Sequence, residues 1–287
     1  MAARPKTLTA ALVPILVGTA LAYTVYGKAR LLISCFAFLS AVFIQIGTNL
    51  INDALDFEKG ADTHERQGPT RVTQSGLLSP RQVWWGGLIC FLVATLLAIP
   101  LVMVGGKAIV IIGILSLIAG YLYTGTSLSL SYTGLGDLFV LIFFGWVAVG
   151  GIYFLHVQTW DWNVAIAATQ IGLLATVLIA INNLRDYKTD RKVAKKILAA
   201  RFGCQFARWE ITVLCLFPFL VGAYWLQSQL ILAFVLPLLL LPFAIQLIHQ
   251  VWITEPGKIY NRFLAQGAFL HLSFGTLLSL GMLLGKE

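Results

Sequence analysis

An all-α integral membrane protein of nine transmembrane helices is the fold class that this 287-residue sequence predicts, and three observations predict it. Hydrophobic residues make up 59% of the chain and charged residues only 11%, less than half the share of an ordinary soluble domain. Uncharged stretches of about 20 residues or more, the length needed to cross a hydrocarbon core as helix, recur along the chain. These stretches lack the alternation of a membrane barrel, so helices are the structure that satisfies the backbone in lipid.

Residues 7–27, 31–53, 82–106, 108–136, 138–160 and 162–184 each form one span. Residues 211–254 supply two more, with a break near Gln227-Ser228-Gln229, and residues 263–285 supply the ninth. Pro14, Pro218, Pro237 and Pro242 fall inside these runs, where bilayer helices accept them as kinks. The first run is longer than the apolar stretch of a secretory signal and is expected to stay as a span. Cys35, Cys90, Cys204 and Cys215 are scattered without paired spacing, which excludes a disulfide scaffold. With no linker or low-complexity tract, residues 1–287 are expected to form one transmembrane domain.

Orientation follows from the basic residues, which collect on cytoplasmic loops. With the N-terminus inside and the C-terminus outside, sixteen of the twenty Lys and Arg fall on the cytoplasmic face, leaving Lys28, Arg30, Lys107 and Lys286 opposite. This need for topology accounts for the net charge of +8, and a nucleic-acid partner is not expected.

Ten of the twelve acids lie on the same cytoplasmic side, and six of those ten fall in two places. The first runs from Asn49 to Asp62 at the end of the second span, with Asn52, Asp53, Asp56 and Glu58 between them. The second is Asn182-Asn-Leu-Arg-Asp-Tyr-Lys-Thr-Asp190 at the end of the sixth. Asn52 and Asp56 are four apart, as are Asn182, Asp186 and Asp190, so each set lines one helical face. The element recurs 130 residues on, four helices later, and both faces emerge on one side of the membrane.

Carboxylates gathered at this density repel one another unless a cation is shared between them. All-oxygen ligands suit Mg2+, a hard ion that bridges a few carboxylates to substrate phosphates, and the absence of His and Cys from both clusters argues against zinc. Arg66 and Arg71 follow the first cluster, and Arg185, Arg191, Lys195, Lys196 and Arg201 surround the second. Such cations suit the remaining oxygens of a diphosphate, and an apolar bundle suits an isoprenoid tail. His156, His249 and His271 sit in or at the ends of apolar spans and are read as packed or interfacial residues, while Asp137 is read as a partner of a helix N-terminus.

These motifs resemble the UbiA superfamily of intramembrane aromatic prenyltransferases over nearly the whole chain. Asn52, Asp53, Asp56 and Asp62 match that family's first Asp-rich motif, and Asp186 and Asp190 its second. The flanks Ala3-Arg-Pro-Lys-Thr-Leu, Gly68-Pro-Thr-Arg71 and Asn182-Asn-Leu-Arg-Asp186 are most similar to the branch that prenylates 1,4-dihydroxy-2-naphthoate. After Asp190 the family continues Gly-Lys-x-Thr-Leu, whereas this chain reads Ala194-Lys-Lys-Ile-Leu198 and keeps only the matching Lys195 and the Leu.

The resemblance implies Mg2+ held by Asp56, Asp62, Asp186 and Asp190, with Asp56, Asp190 and Lys195 as catalytic residues. It implies substrate contacts from Asn52, Asp53, Arg66, Arg71, Asn182, Arg185, Arg191 and Lys195. The substrates implied are a polyprenyl diphosphate and an aromatic acceptor, the place a bacterial inner (plasma) membrane, and no protein partner is expected. Two alternatives stay open: another acceptor such as 4-hydroxybenzoate, and a cation-coupled secondary transporter, which would set its acids nearer the bilayer midplane.

Overall fold

The structure is a computed structural model that describes residues 5–27, 29–58, 71–122, 133–192 and 196–285. Among these residues every element is a helix. In chain order they are α1 (Pro5–Tyr26), α2 (Leu31–Glu58), α3 (Pro80–Leu122), α4 (Gly136–Val157) and α5 (Trp162–Lys192). There follow α6 (Leu198–Val221), extended by a turn at Tyr224–Gln227, then α7 (Ile231–Leu238), α8 (Leu241–Ile253) and α9 (Tyr260–Leu284). Six of these are long and apolar enough to cross a membrane, and a seventh is the pair α7 and α8, bent by 42° between Pro237 and Pro242.

The 43-residue α3 is two antiparallel arms. In one straight helix Phe91 and Gly120 would lie about 43 Å apart, yet a Cβ on Gly120 would sit 3.3 Å from the Phe91 ring. The chain reverses at Gly106, whose φ of 58° and ψ of −145° lie outside the helical region and favour a residue without Cβ. Against the nine expected crossings, the described helices supply six, or seven with the bent pair, and α1 contributes a shorter apolar helix at Ala10–Tyr26. The break expected near Gln227 falls at Ser228–Leu230, with Gln229 in the left-handed region at φ 60°.

Hydrophobic burial alone does not drive helices together in lipid, so close approach at small residues and internal polar bonds hold the bundle. Gly47 of α2 and Gly87 of α3 meet there: a Cβ on Gly47 would come within 2.9 Å of the Gly87 carbonyl. Gly145 of α4 packs on Gly172 of α5 in the same way, and the turn carrying Gly145, Leu141–Val147, is a π-helix. α5 is the central helix, with 83% of its apolar window buried, and α1, α4, α6 and α9 surround it. At the end away from the acidic motifs, His156 of α4 meets Ser34 of α2 (3.1 Å) and Thr19 of α1 (3.5 Å). His156 is therefore a packed residue, as is the fully buried His271, while His249 is exposed.

The helices outrun the apolar stretches that announce them. α2 continues five residues past the expected end of its run to Glu58, and α5 continues to Lys192. The acidic motifs therefore sit on helical continuations of the apolar runs, and their four-residue spacing becomes a physical face.

Candidate functional site

A cavity of about 360 Å3 opens between α1, α2, both arms of α3, α4 and α5, with Leu264 of α9 at its side. Asn52 and Asn182, the leading residues of the two matched elements, both line it. From Asn52 the cavity follows α2 inward to Ala37, fifteen residues or about 22 Å of helix axis. Its far end is apolar, formed by Ile15, Leu101, Ile109, Ile152 and Leu155. The shape is a polar mouth on a greasy channel.

At the mouth, the first motif divides its labour. Asp53 is buried and accepts hydrogen bonds from the Val72 amide (3.2 Å) and the Thr73 hydroxyl (2.5 Å), so it pins the turn at residues 71–76 to the end of α2. That turn carries Arg71, whose guanidinium pairs with Asp56 Oδ2 at 2.7 Å and donates to the Asn52 carbonyl at 3.0 Å. The other carboxylate oxygen, Asp56 Oδ1, and the amide oxygen Asn52 Oδ1 are buried without a hydrogen-bond partner among the described residues. Two acceptor oxygens one helical turn apart, at a helix C-terminus with its negative partial charge, fit a hard cation. Leaving such oxygens unmet is unfavourable by about 1–3 kcal/mol each.

The second motif is held differently. Arg185, buried in α5, donates to both oxygens of Asp186 (2.9 and 2.5 Å), to Asn182 Oδ1 (2.8 Å) and to Asn261 Oδ1 of α9 (2.7 Å). Asp186 and Asn182 are thus fixed in place through one guanidinium, which also ties α5 to α9. Asp190 is half-buried one turn further on, and Arg191 is exposed beside it. Asp137, the second residue of α4, is buried, and each of its oxygens accepts from Asn183 Nδ2 at 3.4 Å, linking α4 to this motif. Its place in the first turn of α4 agrees with the expectation of a helix-end partner.

The structure therefore brings Asn52, Asp53, Asp56 and Arg71 into one group and Asn182, Arg185 and Asp186 into another, with Asn52 and Asn182 facing a shared cavity. Asp62, Arg66 and Lys195 lie outside the described residues. Among the described residues no three His, Cys, Asp or Glu side chains cluster as a metal site. Sequence reasoning missed Gln45, Thr48, Phe139 and Phe143 in the cavity wall and Asn261 as a partner of Arg185. For Gln45 and Thr48 there was a signal, since with Asn49 and Asn52 they form a polar stripe at helical spacing inside an apolar run. For Phe139 and Phe143 there was none, because a lipid-facing helix is equally rich in Phe.

Residues 11–273 match the model of the UbiA prenyltransferase family. The 1,4-dihydroxy-2-naphthoate octaprenyltransferase of Haemophilus influenzae is 33% identical over 99% of this chain and 94% of its own length. The enzyme of that name from Escherichia coli is 39% identical over 70% of this chain and 67% of its own. Among solved structures, a UbiA homolog from Archaeoglobus fulgidus bound to DMAPP and Mg2+ superposes with a TM-score of 0.65. The overlap spans 97% of this chain and 98% of that one at 16% identity, a likeness of fold.

Proposed function

The chain belongs to the UbiA prenyltransferase family, and we propose that it transfers a polyprenyl group from an allylic diphosphate to 1,4-dihydroxy-2-naphthoate, releasing CO2 and diphosphate and forming a demethylmenaquinone-type product. One observation carries this reading: Asn52 and Asn182, the leading residues of two acidic motifs 130 residues apart, line the mouth of one apolar cavity. A charged head and an isoprenoid tail are the ligand that such a cavity suits. The names of the Haemophilus influenzae and Escherichia coli relatives support the naphthoate as acceptor.

Asp56, Asp62, Asp186 and Asp190 would hold Mg2+, with Asn52 Oδ1 and Asp56 Oδ1 as the oxygens that the described structure leaves for it. When bound, Mg2+ neutralises the diphosphate and favours its departure. Arg71, Arg191 and Lys195 pair with the charge that builds on the leaving oxygens. The C–O bond breaks with its electron pair on the diphosphate. The ring carbon bearing the carboxylate supplies the pair for the new C–C bond, and CO2 then leaves as the ring regains its aromaticity. The channel keeps water from the allylic cation, and the Phe139 and Phe143 rings in its wall offer π faces to positive charge. In this reading the chain crosses the inner membrane nine times, N-terminus inside and C-terminus outside, with the cavity mouth at the cytoplasmic face.

The test is an assay of membranes expressing the chain, with Mg2+ and an allylic prenyl diphosphate, against the naphthoate and 4-hydroxybenzoate in parallel. A prenylated, decarboxylated naphthol identified by mass, lost with EDTA and in Asp56→Asn and Asp190→Asn, is the expected result. Prenylated 4-hydroxybenzoate alone overturns the acceptor. No product with either acceptor, together with cation-dependent solute uptake into vesicles, overturns the enzyme reading.

A further inference from the structure

Among the described residues α9 reaches the cavity at Leu264, and one turn before it stands a polar side chain that the mechanism above does not use. Asn261, in the first turn of α9, is half-buried and accepts a hydrogen bond from Arg185 Nη1 of α5 at 2.7 Å. The sense of its amide is fixed: Nδ2 donates to the Lys258 carbonyl at 3.0 Å, which leaves Oδ1 as the atom turned to the guanidinium. The backbone beneath it is held as well. Tyr260 next to it is fully buried, with its hydroxyl on the carbonyls of Val251 (3.1 Å) and Thr254 (3.0 Å), and Arg208 of α6 donates to the same Thr254 carbonyl at 3.0 Å. The start of α9 is thus fastened to the end of α8, and through it to α6, where it meets α5.

Arg185 has use for such an anchor. Its side chain is only 3% exposed, and a charge so buried needs its donors met. Nε and Nη2 close on the two oxygens of Asp186, and Nη2 also on Asn182 Oδ1. Those three bonds all go to side chains of α5 itself, one and three residues away, so by themselves they let the planar fork swing together with the groups it holds. The bond at Nη1 comes from a different helix and ties the fork to the rest of the bundle. Asn182 lines the cavity, whereas Arg185 and Asn261 stand behind it, so the effect of Asn261 reaches the site through the guanidinium.

We infer that Asn261 is a positioning residue for the second acidic motif: it sets the plane of the Arg185 guanidinium, which turns the remaining lone pairs of Asp186 and Asn182 toward the cation that carries the diphosphate. The inference rests on the metal-dependent reading above and adds to it a group from a helix that bears no acidic motif. Ligand sets are commonly oriented by such outer partners, whose loss weakens metal binding without removing a ligand.

The experiment uses the purified full chain in detergent, with Mn2+ in place of Mg2+ and its binding read by electron paramagnetic resonance, alongside KM for donor and acceptor. Asn261→Leu is expected to raise the Mn2+ Kd and the donor KM by roughly tenfold, with the acceptor KM moving less than about twofold. Asn261→Asp keeps an oxygen on Nη1 and is expected to bind Mn2+ nearly as the wild type does. Asn261→Ala is carried alongside and read in the same way should Asn261→Leu fail to fold. Gly145→Ala strains the contact of α4 with α5 ten residues along α5 from Asn182, and supplies a chain that melts early for an unrelated reason. If it weakens Mn2+ binding as much as Asn261→Leu does, the effect is general loosening and the positioning role falls. Wild-type Mn2+ affinity in Asn261→Leu, or an equal loss in Asn261→Asp, overturns the role and leaves the proposed reaction standing. A wild type that binds no Mn2+ overturns the metal set of that reaction and the positioning role with it.

Discussion

Asp53 and Asp56 lie three residues apart on one helix end and have opposite relations to it. Asp53 is consumed by the Val72 amide and the Thr73 hydroxyl, whereas Asp56 keeps one oxygen without a protein partner among the described residues. Asp53→Ala is expected to lower stability by roughly 1–3 kcal/mol through the lost anchor and to speed hydrogen exchange at residues 71–76. Asp56→Asn is close to isosteric and is expected to melt near the wild type while losing Mn2+ binding, read by electron paramagnetic resonance of the purified protein. Equal Mn2+ affinity in Asp56→Asn and wild type would remove Asp56 from the metal set. In the second motif, Arg185→Gln strands Asp186, whose side chain is only 16% exposed, and a loss of roughly 3–5 kcal/mol is expected on thermal unfolding. Adding Asp186→Asn should recover part of it. The spacing of Asn52, Asp56, Asn182 and Asp186 made these positions legible in the sequence. The separation of Asp53 from Asp56 was not legible, because it depends on a turn nineteen residues away whose backbone closes on one carboxylate and not on the other.

At the scale of elements, the helices were legible and their bends less so. Long uncharged runs and lipid leave the backbone one solution, and the break after Gln227 showed as a polar interruption in an apolar run. The reversal at Gly106 showed only as a lone Lys107 between two apolar runs, and the π-helical turn at Leu141–Val147 left no mark in the sequence. Gly145 sits in that turn against the Ala168 carbonyl and Gly172 of α5. Gly145→Ala is expected to lower stability by about 1–3 kcal/mol, because a buried Cβ must push two helices apart, and the added residue of the π turn would be squeezed with it. Gly151 makes the control on the same helix, since the nearest atom to its added Cβ is Ile112 Cδ1 at an ordinary 3.8 Å. If Gly145→Ala and Gly151→Ala melt together in detergent, the close contact of α4 and α5 does not set the stability of the bundle.

Across the whole molecule, the bundle encloses a channel with two chemically distinct ends. The mouth is set by α2 and α5, whose Asn52 and Asn182 line it, and the floor by residues of α1, α3 and α4, where no hydrogen-bonding group is needed for a tail. Ligand length should therefore be limited by the floor and acceptor choice by the mouth, and a substitution at one end should leave the other unchanged. Gly113 offers a way to ask. It lines the channel on the second arm of α3, two turns deeper than Gly120, and a Cβ built on it meets nothing within 4 Å. Its backbone lies within a helix, so Gly113→Leu fills space without strain and gains about 1 kcal/mol of helix propensity. The added side chain would shorten the room for a tail while standing clear of Asn52 and Asn182. With Gly113→Leu, KM for a long polyprenyl diphosphate is expected to rise about tenfold or more, since a hydrophobic pocket reads each misplaced methylene at roughly 1–3 kcal/mol. KM for a two-isoprene donor and for the aromatic acceptor should hold. An unchanged KM for the long donor would mean that the tail never passes Gly113 and leaves the cavity at a shallower level, between the helices and into the lipid, and a loss of equal size on short and long donors would mean that the two ends of the channel are not independent.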